Sequence, residues 1–159
     1  MSGLSKIAGL PQMKLGWIVV AGSAPQAALE KLEWIADTYL SVGTPVQCAA
    51  ARLFHAGTAI QQQIAQRTNE NLQFLRQAFE GTAANLLALE GGWYAVLQVP
   101  RIRSEEEWAL EILSNCNVLV QPGFFYDFPS EAFLVVSLIT SKAVFGEGTA
   151  RLRALLDCA

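Results

Sequence analysis

Leu15–Ala21 reads Leu-Gly-Trp-Ile-Val-Val-Ala and stops at Gly22. An unbroken apolar run of this kind, rich in β-branched residues, is the pattern of a strand buried on both faces. Such a strand needs neighbours in a sheet, and nothing in residues 1–14 reads as an element that would supply one. Left alone it would be a poorly protected edge. The run therefore points to a sheet layered with helices, and it raises the question of where the rest of that sheet comes from.

Composition sharpens the question. The chain has 159 residues, about one ordinary domain, yet 52% of them are apolar and only 16% charged, against a usual ~25%. Disorder is excluded, because there is ample apolar surface to fold. No apolar run approaches the ~20 residues of a membrane span, so no membrane partner is expected. Net charge is −3, from 11 basic and 14 acidic residues, too balanced to forecast nucleic acid as a partner. Cys48, Cys116 and Cys158 are scattered and His55 is the single histidine. No cluster has metal-ligand spacing, so neither a metal site nor a disulfide scaffold is expected. No basic stretch leads into an apolar segment at the start, and a cytoplasmic location follows as the default. His55 lies in a helical run and reads as a structural or solvent-facing side chain. The surplus of apolar residues reads either as a large partner interface or as part of something bigger.

Along the chain, Ser23 can cap a helix with Pro25 in its first turn. Its apolar positions are Leu29, Leu32, Ile35, Ala36 and Tyr39, and it ends near Leu40. Val46 to about Phe79 is mostly helical, with an interruption expected at Gly57. Its second half, from Thr58, would reach about 33 Å at ~1.5 Å per residue. Glutamines and asparagines from Gln61 to Gln73 line it, which suits either a bridge between two bodies or a surface helix of one. Trp93–Val99 then reads as a strand closed by Pro100. Ser104 and Glu107 form a capping box for a helix to about Ser114. Val118–Val120 and Phe133–Ile139 read as strands, and Glu147–Leu156 as a last helix. The second half is thus a small α+β unit. Glu105–Glu107 fall in a helix's first turn, where they complement the macrodipole. Phe124, Phe125, Tyr126 and Phe128 read as packing residues.

Residues 5–17 read Ser-Lys-Ile-Ala-Gly-Leu-Pro-Gln-Met-Lys-Leu-Gly-Trp. This resembles the lysine signature S-K-x-x-G-L-P-G-x-R-x-G-[YW] of class I/II aminotransferases. Glu90-Gly91-Gly92-Trp93-Tyr94 with Gln98-Val99-Pro100 is similar to the family's entry into its small domain. Asn117–Gly123 is similar to its strand-and-turn before the substrate loop, and Phe145–Leu152 to its last helix. The matching segments keep the family's order over nearly the whole chain, and they correspond to its C-terminal portion.

The resemblance implies an α/β, fold-type-I transferase fold. Residues 1–44 would be the remnant of a large domain carrying the lysine-bearing strand, 45–89 interdomain helices, and 90–159 a small α+β domain. It implies pyridoxal 5′-phosphate as cofactor, with Lys6 holding its aldehyde as a Schiff base and shuttling a proton. Amino acid and 2-oxo acid would be the substrates, and the chain would form a homodimer. Lys14 stands where most relatives carry a phosphate-gripping arginine, and supplies charge without the bidentate fork. In this reading the Ser5 hydroxyl is either a second phosphate contact or a turn residue. Gly3 stands where relatives often have a phosphate-binding serine, and Gln12 replaces a common glycine. Val135 occupies the place of the arginine that clamps the substrate carboxylate, and Arg101, Arg103, Arg151 and Arg153 are the arginines nearest in sequence. The family's ring and phosphate contacts upstream of the lysine have no room before Lys6, so the chain alone is expected to be catalytically incomplete. Two other readings stay open: a non-catalytic binding module of the kind found in aminotransferase-like transcription regulators, and a structural fragment that pairs chains.

Overall fold

Burial of the second half's apolar residues needs a sheet with one covered face, and that is what forms. In the computed structural model, which describes residues 1–39, 41–130 and 132–158, the chain divides into two units, Met1–Gln63 and Ile64–Ala159.

In the first unit, β1 (Ser2–Gly3) and β2 (Gly16–Trp17) pair antiparallel, with Ser2 opposite Trp17 and Gly3 opposite Gly16. Between them run a one-turn helix, α1 (Leu4–Ile7), and a 3-10 turn, Pro11–Met13. Leu4 and Ala8 are fully buried. α2 (Pro25–Asp37) follows, and α3 (Thr44–Phe79) contributes residues to both units.

Four expectations fail here. Leu15–Ala21 is not a buried strand: only Gly16–Trp17 pairs, and Val19 is 76% exposed. β1 is two residues long, so the rest of the run finds no ladder and no covering layer. The side chain of Ser23 does not cap α2; Ala24 is the N-cap residue, without a side-chain bond, and Pro25 opens the helix. The apolar positions of α2 are not in a core, since none of its residues is buried. The expected end at Leu40 lies outside the described residues; the helix closes at Asp37, with the Thr38 hydroxyl donating to the Ile35 carbonyl at 2.7 Å. Finally, α3 is unbroken at Gly57. A glycine inside a helix costs about 1 kcal/mol relative to alanine, but here it admits Ala8: a Cβ at Gly57 would stand 2.8 Å from the Ala8 Cβ. The Trp17 ring meets Phe54 of α3 edge-on, with centroids 5.0 Å apart.

The second unit holds a four-stranded antiparallel sheet in the order β3 (Asn85–Leu86), β4 (Tyr94–Gln98), β6 (Phe133–Ser137), β5 (Gln121–Pro122). β4 and β6 pair over their whole length, Val96 opposite Val135. Leu75 and Phe79 of α3, Trp108 and Ile112 around α4 (Glu105–Glu111), and Phe145, Leu152 and Leu156 of α5 (Lys142–Asp157) pack with Leu97, Leu134 and Leu138 into one core. Buried Asn71 ties α3 to the end of β6, its Nδ2 donating to the carbonyls of Leu138 and Thr140 at 2.8 Å each.

The capping box at Ser104 and Glu107 is present in both directions. α4 passes into a π turn, Ile112–Cys116, closed by Asn117 at φ 53°. That left-handed residue redirects the chain, so Val118–Val120 is not a strand and the ladder to β6 begins only at Gln121, opposite Val135. α5 starts at Lys142, before the expected Glu147, because its buried face, Phe145, Thr149, Leu152 and Leu156, keeps helical spacing through Gly146 and Gly148. Of the aromatic cluster, Phe128 packs against Phe133, whereas Phe124, Phe125 and Tyr126 are largely exposed. Among the described residues no helix is long and apolar enough to cross a membrane.

Candidate functional site

The segment from Leu4 to Leu15 closes on itself. The Leu4 amide donates to the Leu15 carbonyl at 3.0 Å, and the Leu4 carbonyl accepts from Ala8 (3.0 Å) and Leu10 (3.2 Å). Leu4 is thus a buried peg with both backbone groups satisfied. Gly9, at φ +63°, reverses the chain out of α1 with no penalty from a side chain. Pro11 sets up the 3-10 turn, and Lys14 leaves it at φ 53°.

This loop carries the three candidate residues. Ser5 and Lys6 are neighbours on α1, Ser5 half-buried and Lys6 exposed. Lys6 thus rides on a helical turn between two short strands. Lys14 is exposed at the opposite end of the loop, next to Leu15, which Leu4 holds. The loop carries two basic residues, and the first acidic residue in sequence is Glu30. Its side chains present a primary amine, a hydroxyl and a second ammonium.

In the second unit, Val135 is buried between Val96 of β4 and Gln121 of β5, an aliphatic contact in the middle of the sheet. The four arginines nearest in sequence all have partners: Arg101 with the Ser130 hydroxyl, Arg103 with Glu111, Arg151 with Glu147, and Arg153 with Asp157. Arg103 also lies over the Trp108 ring, 4.7 Å from its centroid. His55 is exposed on α3. Burial pushes the Cys116 thiol up, and its Sγ sits 3.6 Å from the Arg151 carbonyl. Among the described residues no group of His, Cys, Asp and Glu is placed to hold a metal ion.

One residue of consequence escapes the sequence reading. Glu105 is a buried carboxylate, 2% exposed, and its two oxygens accept from the Phe124 and Phe133 amides at 2.6 Å each. It holds together the start of the aromatic turn Gly123–Tyr126 and the start of β6. The signal was there in the spacing: Glu105, Trp108 and Ile112 share one helical face, so Glu105 belongs to the inward stripe and not to the solvated first turn.

The chain belongs to the aminotransferase class I and II family, whose model matches residues 1–145. Solved structures agree on the mixed α/β, fold-type-I architecture. An alanine aminotransferase from Pyrococcus furiosus superposes with TM-score 0.81 at 16% identity, covering 99% of this chain and 41% of that one. An aromatic aminotransferase from Pyrococcus horikoshii OT3 gives 0.78 at 18%, over 97% and 41%. A PLP-dependent aminotransferase from Streptococcus suis gives 0.77 at 20%, over 97% and 40%. At such identities the likeness shows the fold alone. The chain spans about two fifths of the length of these structures. Comparison with curated proteins gives no match.

Proposed function

We propose that this chain supplies the lysine-bearing part of a pyridoxal 5′-phosphate-dependent aminotransferase that moves an amino group between an amino acid and a 2-oxo acid. The observation that carries this reading is that the family match takes in the closed loop from Leu4 to Leu15, which bears Ser5, Lys6 and Lys14.

The donor set fits the cofactor's two ends. The Lys6 amine suits the aldehyde, and the Ser5 hydroxyl with Lys14 suits the phosphate, Lys14 acting as a point charge. When bound, the cofactor supplies an electron-withdrawing ring that stabilises negative charge at the substrate Cα. Lys6 would take the proton from that carbon and return it, the role its amine can fill once freed. The cofactor's ring nitrogen would need an acidic partner, and residues 1–29 offer none. With Val135 in the sheet's interior, the substrate carboxylate would be held by a group other than an arginine on β6.

Adding pyridoxal 5′-phosphate should raise a visible absorption band, and borohydride should fix the pyridoxyl mass on the Lys6 peptide. Lys6→Ala should lose both. Equal uptake by the two proteins overturns the assignment.

A second observation supports homodimer formation: α2 carries Leu29, Trp34 and Ile35 exposed, with no residue of the helix buried. A second copy would cover them. Trp34→Asp should shift a sedimenting dimer to monomer, and a wild-type chain that stays monomeric at high concentration refutes the pairing.

A further inference from the structure

We propose that the second unit holds a binding site for a branched-chain α-amino acid in its zwitterionic form, in the cavity between α5 and the segment 117–120. The cavity has a volume of about 280 Å³, below the usual range for drug-sized ligands and suited to one small metabolite. Val118, Val120, Val136, Phe145 and Leu152 give it an apolar wall, and Asn117, Ser137 and Thr140 add polar groups at its lining.

Three polar side chains on α5 also line it: Glu147, Thr149 and Arg151. Thr149 is 5% exposed, and its hydroxyl makes no hydrogen bond among the described residues. The hydroxyl lines the cavity, where a ligand's polar group would find a hydrogen-bond partner in place of water. Glu147 and Arg151 pair with each other one turn apart. Both are exposed, so their pairing contributes little and opens readily. Arg151 also donates to the Cys116 carbonyl at 3.3 Å, which holds its guanidinium beside the cavity's edge.

This pair selects the occupant. A monoanion on Arg151 would strip Glu147 of its counter-ion, and a monocation on Glu147 would do the same to Arg151. An α-amino acid brings both charges on one carbon. Its carboxylate answers Arg151, its ammonium answers Glu147, and a branched aliphatic side chain fills the apolar wall. The site needs neither cofactor nor Lys6, so it stands or falls apart from the function proposed above.

The test uses the full chain in the Lys6→Ala background, without cofactor, titrated with L-leucine and followed by amide NMR shifts and calorimetry. Saturable binding is expected, with shifts centred on Val118, Thr149 and Arg151. Isopentylamine and 4-methylpentanoate, each lacking one charge, should bind about tenfold more weakly or worse, the loss of one charge-assisted contact. Gly148→Leu should block the cavity while keeping the helix. A Cβ there meets only the Val118 methyls, at 3.7 and 4.0 Å, so the new side chain enters open space. Leucine affinity should fall about tenfold or more while the circular dichroism spectrum and melting curve are retained. Absence of saturable binding, undiminished binding in Gly148→Leu, or a monoanion binding as well as leucine each overturns the site.

Discussion

The carboxylate of Glu105 accepts a hydrogen bond from the backbone amide of Phe133 across 28 residues of sequence, at 2.6 Å, while its other oxygen takes the Phe124 amide. Glu105→Ala would leave two amides in the interior without acceptors. We expect a loss of about 2–4 kcal/mol, read from urea unfolding. Glu105→Gln, which keeps one acceptor oxygen, should lose less. Gly123→Ala should also destabilise, because a Cβ there would meet Glu105 Oε1 at 2.7 Å and the Phe133 Cβ at 2.8 Å.

Gly57 and Ala8 are a second tight pair. Gly57→Ala gains helix propensity, yet its Cβ has only 2.8 Å to a rigid neighbour. The clash should outweigh the gain, for a net loss of about 1 kcal/mol. Adding Ala8→Gly should recover most of it. Additive losses in the double mutant, measured by thermal unfolding, would show that the two residues do not meet.

Lys14 sits at φ 53°, where a side chain is disfavoured. Lys14→Gly should leave the fold intact or stabilise it by up to about 1 kcal/mol. Under the function proposed above, the same change should weaken cofactor uptake through loss of charge, and Lys14→Arg should strengthen it. Fluorescence titration with pyridoxal 5′-phosphate separates the two effects from stability.

The Ser104 backbone amide, and then its hydroxyl, bond to Glu107 and hold its carboxyl below the ordinary glutamate range. A carboxyl whose folded value is depressed binds its proton more readily when unfolded. Its contribution is present above the unfolded value and is lost as pH falls through the folded one. The Glu107→Gln difference in stability should therefore be present at neutral pH and vanish in acid. A difference that is constant from neutral pH to pH ~3 counts against the capping role.

What the residues specified unaided was local or periodic. The capping box at Ser104 and Glu107 needs only one turn of helix. The strands around Tyr94–Gln98 and Phe133–Ser137 follow from apolar, β-rich runs between turn signals. The lysine signature survives as spacing along the chain, and the closed loop from Leu4 to Leu15 follows its glycine and proline.

Tertiary structure alone decided the rest, because burial and pairing depend on what arrives from elsewhere in the chain. Leu15–Ala21 has the composition of a buried strand, but β1 offers a ladder of only two residues, and Val19 stays in solvent. Gly57 looks like a break until Ala8 packs against it. Glu105 looks like one of three solvated carboxylates until Phe124 and Phe133 bring their amides to it. A sequence states which groups want a partner; only the folded backbone determines which of them meet one.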